Sequence, residues 1–238
     1  MDPNLEIRLE RARSWIQIAG SIPARETKNI SEDVAVVSAR EHERFIFYWI
    51  ALNCLYGRHP KNNQDNPDKE KGSEIKAFLD KVTKMSRWDL DEGTQIIQTT
   101  IDLPEMKRLG EKLIRDYFLD RRYWEQRFHI LDLENMIEEE WVHVHASLVA
   151  ASYHPFLTSS FERLKVLRNQ IMHGSVTYGR RSKGWESLET GVLFISRIVP
   201  AFVRLVSMYG ERFSWDPAPY PRLGHPGHPR QSTMTIRK

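Results

Sequence analysis

The sequence predicts an all-α fold, a bundle of helices around one core. Apolar residues recur with helical spacing along most of the chain, and the alternating pattern typical of β-strands is scarce. With 238 residues, of which 40% are apolar, the chain can form one sizeable core. The final long segment carries an apolar stripe of bundle-forming type, spaced alternately by four and three residues: Leu188, Val192, Ile195, Val199, Phe202, Val206 and Tyr209.

The first two predicted helices differ in the distribution of their apolar residues. Residues 5–19 have one apolar and one charged face, which predicts an amphipathic helix ahead of the domain core at about 41–210. A second helix is predicted from Glu32 to Tyr56. Its second half is apolar on nearly every side, so other helices or another subunit must surround it. Asn53 is the polar exception there, explained either by a hydrogen bond in the core or by a role in a site.

The middle of the chain combines a long loop with a basic and aromatic segment. Residues 58–73 are polar and without periodicity, which predicts an exposed loop. Helices are predicted at 73–86 and at 104–126, the second beginning at Pro104. The stretch "RDYFLDRRYWEQRF" interleaves arginines with aromatics, a pattern that suits RNA because phosphates pair with the charge and bases stack. A helix with its aromatics packed inward and its arginines in solvent gives the same string.

Two further helices are predicted before the last one, over residues 132–152 and about 156–173. His143 and His145 in the first lie about 200° apart on a helix, so they cannot share a metal ion. Pro200 lies inside the last helix and predicts a kink. Since no metal, phosphate-loop or nucleophile motif occurs, the sequence predicts no cofactor and no metal.

The predicted organisation is a single domain over residues 1–215, followed by a tail. The tail, 216–238, is rich in Pro, Gly and His and lacks acidic residues from 217 onward, which predicts disorder. The N-terminus has no signal-peptide pattern. The longest apolar run, Phe45 to Leu52, is shorter than the roughly 18 residues of a bilayer span. We therefore expect a soluble, cytoplasmic protein that does not enter a membrane.

Charge and cysteine content exclude some classes of function. The net charge of +3 does not by itself indicate a nucleic-acid binder, so such a role depends on where the charges lie. The single cysteine, Cys54, excludes an internal disulfide and a CxxC metal site. It lies in an apolar run, so we expect a buried structural thiol.

Arg168 is a cation within the apolar arc of a predicted helix. With Leu164 at zero on a helical wheel, Leu157 lies at about +20°, Phe161 at about +60° and Arg168 at about +40°. A guanidinium cannot lose its proton, and burying it without a partner costs several kcal/mol. Arg168 therefore reaches the surface past its neighbours, pairs with a buried carboxylate, or borders a cleft that receives an anion.

The same helix is predicted to end at His173, with Gly174 in the position that favours a left-handed cap. A helix C-terminus stabilises the charged form of a histidine, which suits a group that exchanges protons near neutral pH. Arg168 and His173 lie about 140° apart on an ideal helix. Either the last turn is distorted, or a second copy of the chain brings its own pair to a shared groove.

The stretch "LRNQIMHG" resembles the signature of the HEPN domain superfamily, whose pattern of arginine, a polar residue and a following histidine is carried here by Arg168, Asn169 and His173. The similarity extends from about Glu41 to Tyr209, and the aromatic-rich second helix resembles the ApeA-like branch. This resemblance implies an up-and-down helical bundle. It also implies a metal-independent endoribonuclease whose two motifs meet at the interface of a homodimer, in prokaryotic defence or toxin biology with an antitoxin or defence partner.

The resemblance implies a role for each motif residue. His173 would be the acid or base that activates a ribose 2′-hydroxyl or protonates the leaving oxygen. Arg168 would hold the scissile phosphate, and Asn169 would orient the histidine or bind a phosphate oxygen. The product would be a 2′,3′-cyclic phosphate.

The chain departs from one HEPN subgroup and leaves other functions open. Toxins paired with a nucleotidyltransferase antitoxin have a tyrosine where this chain has Ser175. Beyond the motif, Arg180, Arg181 and Lys183 form a basic segment that would contact flanking RNA phosphates, or would be an ordinary solvated loop. Two alternatives are an inactive HEPN module that binds RNA or a partner protein, and a structural dimer in which Arg168 forms a buried ion pair.

Overall fold

The computed structural model describes residues 2–23, 34–57, 73–86, 96–126, 128–174, 183–216 and 218. Every regular element in these ranges is helical, which confirms the all-α prediction for them. The longer helices are α1 (Pro3–Ser21), α2 (Val34–Tyr56), α3 (Ser73–Ser86), α5 (Pro104–Ile114), α7 (Ile130–Val149), α8 (Tyr153–Met172) and α9 (Lys183–Tyr209), and the shorter ones are α4 (Ile96–Ile101) and α6 (Arg121–Trp124). Short 3-10 turns follow α5, at Tyr117–Leu119, and α9, at Gly210–Arg212.

Helix α9 is the central helix of the described fold. Its predicted stripe is buried along the whole helix, from Leu188 at 0% exposure to Tyr209 at 7%. It packs against α1, α2, α3, α4, α5 and α8, and Pro200 lies inside it without ending it. Among the described residues, the segment Gly184–Arg212 is long and apolar enough to cross a membrane, with a mean hydropathy of 1.7. The burial of this segment in the bundle accounts for the same composition.

The predicted helix over 104–126 is wrong, because the chain forms three shorter elements there. Helix α5 ends at Ile114. The carboxylate of Asp116 accepts a hydrogen bond from the backbone N–H of Phe118, and that of Asp120 accepts one from the N–H of Arg122. Such caps offer the backbone local partners that compete with a continuing helix. Helix α4, whose Ile96, Ile97 and Ile101 are buried, was not predicted at all.

Arg8 connects α1 to the C-terminal end of α2. Its side chain is 2% exposed and donates hydrogen bonds from Nη1 to the carbonyls of Cys54 and Leu55, and from Nη2 to the carbonyl of Asp216. The last carbonyls of a helix lack intrahelical partners, and a cation is favourable beside them. Arg8 therefore stabilises the end of α2. The Cys54 side chain is only half-buried, and burial raises the pKa of its thiol.

The structure describes Asn53 and the beginning of the predicted C-terminal tail. Asn53 is half-buried, and within the described ranges its side chain forms no hydrogen bond; its backbone carbonyl accepts one from Gly57. Packing continues past residue 215, since the Asp216 carbonyl binds Arg8 and Ala218 is buried. The predicted loop at 58–73 lies outside the described residues except for its last residue, and so does the predicted tail from 219 onward.

Two glycines provide a matched test of helix packing. Replacing Gly110 with alanine places a Cβ on the fully buried ring of Phe156, which joins α5 to α8. We expect this variant to lower the free energy of unfolding by about 1–3 kcal/mol through overpacking. Gly20 in α1 has open space around it, so Gly20→Ala should raise the free energy of unfolding by about 0.5–1 kcal/mol. Urea unfolding checks both, and equal effects at the two sites would contradict the close contact of α5 with α8.

Candidate functional site

Helix α8 ends where the sequence predicts. His173 is its C-terminal cap, with its N–H bonded to the Asn169 carbonyl at 3.0 Å, and Gly174 follows with φ +68°. Glycine adopts this left-handed conformation without the steric cost of a Cβ. The His173 side chain is exposed at the end of the helix. It is therefore accessible to a ligand.

Arg168 borders the core and does not enter a sealed pocket. It is half-buried, and its Nη1 donates a hydrogen bond of 2.9 Å to Oδ1 of Asn169. Its guanidinium carbon lies 5.8 Å from the centre of the buried Trp49 ring, a cation–π contact. Burial raises the pKa of Tyr56, and the nearby Arg168 charge opposes that rise. Among the described residues, no carboxylate forms an ion pair with Arg168.

Asn169 and His173 line a groove that Arg168 does not reach. The groove has a volume of about 740 Å³ and lies between α6 and α8, with Glu140 of α7 on one side. Its cationic lining residues are Arg121, Arg122, Arg163 and Lys165, and its acidic ones are Asp120, Glu140 and Glu162. Within one chain, Asn169 thus lies between the two other motif residues, bonded to Arg168 and facing the same groove as His173.

An ion-pair network forms the floor of this groove. Arg163 is 6% exposed, and its Nη2 lies 2.8 Å from Oδ2 of Asp120 and 2.8 Å from Oε2 of Glu140. Arg122 binds the same two carboxylates at 2.7 and 3.4 Å, and Nε of Arg163 donates to the Ile114 carbonyl at the end of α5. Burial acts to raise the pKa of Asp120, but the hydrogen bond from Arg122 and the charge of Arg163 outweigh it and hold that pKa below its usual value.

The structure describes some of the other cations near the groove and leaves others out. Lys165 lines the groove and has no ion-pair partner among the described residues. Arg121 is paired with Glu125 at 2.6 Å, although its side chain is 81% exposed. The predicted RNA-binding residues Arg180 and Arg181 lie outside the described residues. Lys183 begins α9, but its side chain is outside the described part, so all three roles stay predictions.

The aromatic residues of the basic segment are neither fully buried nor fully in solvent. Tyr117, Phe118 and Tyr123 are half-buried and pack on one another with ring centres 5.0–5.4 Å apart. Trp124 is 45% exposed and lines the groove with Asn169 and His173. Of the five aromatic residues in this segment, three thus pack together, Trp124 also lines the groove, and Phe128 is 46% exposed. Binding of RNA by this segment stays a prediction.

Gln170 and Arg163 take part in the site without having been predicted. Gln170 is 8% exposed, and its Nε2 donates to the Phe118 carbonyl at 2.8 Å. Arg163 lies one position before Leu164, about 100° from it on the helical wheel and outside the apolar arc. In the sequence, only its closeness to the motif indicates a role for Arg163 in the site. Its carboxylate partners lie far away in the chain, in α7 and in the turn before α6, so the sequence does not reveal the ion pairs.

Among the described residues, no group of three or more His, Cys, Asp or Glu side chains is arranged to hold a metal ion. Comparisons with protein families, with curated proteins and with solved structures find no match to this chain.

The network predicts a pH-dependent loss of stability on removing Asp120. Asp120→Asn leaves the buried Arg163 with one carboxylate, which should lower the free energy of unfolding by about 3 kcal/mol at pH 7. The folded pKa of Asp120 lies below the unfolded value of about 3.9, so its contribution is present above that value and lost as the pH falls through the folded pKa. The difference from wild type in urea unfolding should therefore shrink as the pH falls below the unfolded value of about 3.9.

Glu111→Gln is the matched control, since its partner Arg115 is exposed. This change should cost less than about 1 kcal/mol. An Asp120→Asn variant as stable as wild type at pH 7 would show that the network does not stabilise the groove.

Proposed function

We propose that the chain is an endoribonuclease of HEPN type that cleaves RNA without a metal ion, in a homodimer, with Arg168, Asn169 and His173 as its catalytic residues. The main support is the position of Asn169, which binds the Arg168 guanidinium and faces the same groove as the exposed His173. The resemblance further implies a toxin or phage-defence system with an antitoxin or other partner protein, and we expect the activity to be cytoplasmic.

The proposed reaction needs only a proton acceptor, a proton donor and a fixed cation. His173 takes the proton of a ribose 2′-hydroxyl, and the O2′ atom attacks the adjacent phosphorus. The P–O5′ bond breaks, the protonated His173 gives its proton to the O5′ atom, and a 2′,3′-cyclic phosphate remains. Arg168 stabilises the charge that develops on the non-bridging oxygens, because a guanidinium stays charged and binds two oxygens at once.

The geometry of α8 supports a site made by two copies of the chain. Arg168 lies beside Trp49 of α2, whereas His173 lies in the groove beside α6. The helix is regular through Met172, so the last turn does not bring the two side chains together. Met172, next to His173, is 63% exposed, an apolar surface that an interface would cover. A second chain can therefore supply the residue that each copy holds on its other face.

The alternative function is a non-catalytic module that binds RNA or a partner protein through the same groove. One observation favours it: Arg168 does not line the groove of the single chain. In addition, Asp120 and Glu140 already neutralise Arg122 and Arg163. Such a groove can bind a ligand without the cation that the reaction needs.

Cleavage of a 5′-labelled single-stranded RNA in EDTA tests the proposed activity. Wild type should give products that end in a 2′,3′-cyclic phosphate. His173→Ala should lower the rate by at least about 100-fold, as expected for loss of an acid–base group, and Arg168→Ala by about 100- to 1,000-fold. His143→Ala is the matched control, an exposed histidine on α7 outside the groove, and should retain full activity.

Two results would contradict the nuclease. Cleavage that persists in His173→Ala would assign the activity to other residues or to a contaminant. A wild type that binds RNA without cleaving it would favour the binding module.

Mixing two inactive variants tests whether the site is shared. When Arg168→Ala and His173→Ala chains pair at random, half of the dimers are heterodimers. Each heterodimer has two shared sites, and one of these sites keeps both Arg168 and His173. If Arg168 and His173 of different chains act together, the mixture should recover about a quarter of wild-type activity. If both residues act from the same chain, no site is intact and the mixture stays inactive. Co-refolding before the cleavage assay ensures that the subunits exchange.

A further inference from the structure

Trp124 lines the groove, and the polar atom of its ring is already bonded within the chain. The residue is 45% exposed, and its Nε1–H donates a hydrogen bond of 2.8 Å to the Phe118 carbonyl. A tryptophan whose N–H is satisfied within the chain offers a ligand mainly its aromatic face. This arrangement suits stacking on a flat partner.

Contacts with neighbouring residues fix the orientation of the Trp124 ring relative to α8. Phe118 and Tyr123 contact it edge to face, with ring centres 5.8 and 5.3 Å away and interplanar angles of 81° and 85°. The Phe118 carbonyl that holds its Nε1 also accepts the Nε2–H of Gln170 at 2.8 Å. Gln170 is the residue after Asn169, so a single carbonyl links the indole ring to the motif.

We propose that Trp124 is the stacking site for an unpaired RNA base, in the groove whose other wall carries Asn169 and His173. This inference rests on the proposed function in naming RNA as the ligand. Cations suited to phosphates line the same groove, namely Lys165 and the exposed side chain of Arg121, which is paired with Glu125. The groove therefore selects single-stranded RNA or loops, because a duplex hides the faces of its bases.

Binding of an uncleavable RNA tests this site separately from catalysis. The probe is a fluorescein-labelled single-stranded oligonucleotide whose riboses all carry 2′-O-methyl groups, which blocks the attacking hydroxyl. In fluorescence anisotropy with the full chain, Trp124→Ala should weaken binding about tenfold, whereas Trp124→Phe, which keeps a ring, should stay within about threefold of wild type. Phe128→Ala is the matched control, an aromatic residue of 46% exposure that does not line the groove, and should bind as wild type does.

An abasic oligonucleotide of the same length supplies the second control. Wild type and Trp124→Ala should bind it equally, since it has charge but no base to stack. Circular dichroism and thermal unfolding of both Trp124 variants show whether the fold is retained. If Trp124→Ala is unstable, Trp124→Leu, which keeps apolar volume without a ring, should show the same base-dependent loss of affinity.

The outcomes separate the stacking site from the nuclease. Base-dependent loss of affinity in Trp124→Ala supports the stacking site even if wild type cleaves no RNA. The absence of cleavage would contradict only the proposed nuclease activity. Unchanged affinity in Trp124→Ala overturns the stacking site even if wild type cleaves RNA. An equal loss on the abasic probe, or no RNA binding by wild type because the groove serves a protein, also overturns it.

Discussion

The buried guanidinium of Arg163 is the constraint on which the groove depends. It cannot lose its charge, so it is tolerated at 6% exposure only while Asp120, Glu140 and the Ile114 carbonyl all bind it. These partners come from the end of α5, the turn before α6 and the middle of α7. A single side chain of α8 thus fixes three other elements, and any rearrangement that separates one of them leaves a buried charge without its full set of partners.

Helix α8 packs against the core with one face and lines the groove with the other. One face, with Leu157, Phe161, Leu164 and Leu167, is fully buried in the core. The other face carries Asn169 and His173 into the groove, and Arg168 lies at the border beside Trp49. A rigid helix cannot turn Arg168 toward the groove without moving its buried face out of the core. The separation of Arg168 from His173 is therefore a property of the fold, and the proposed reaction needs a second chain to bring the two residues together.

Helical periodicity predicted the parts of the structure that depend on one helix at a time. The buried stripe of α9 and the end of α8 at His173–Gly174 follow from spacing and from the conformational freedom of glycine. The most buried arginine of α8 did not follow, since the helical wheel indicates Arg168 and the structure buries Arg163. A wheel finds only the apolar arc, whereas α7 also covers part of the polar face of α8 with carboxylates.

The break after α5, which sequence periodicity did not predict, is the feature that makes the groove. A helix continued over 104–126 would carry Arg122 and Trp124 along a straight axis, spaced by the helical repeat. Instead the Asp120 carboxylate caps the N–H of Arg122, binds its guanidinium and binds Arg163 of α8. One buried acid therefore caps the start of α6 and holds it against α8. The aromatic ring of Trp124 and the imidazole of His173 come to line one groove because of this local competition between capping and helix extension.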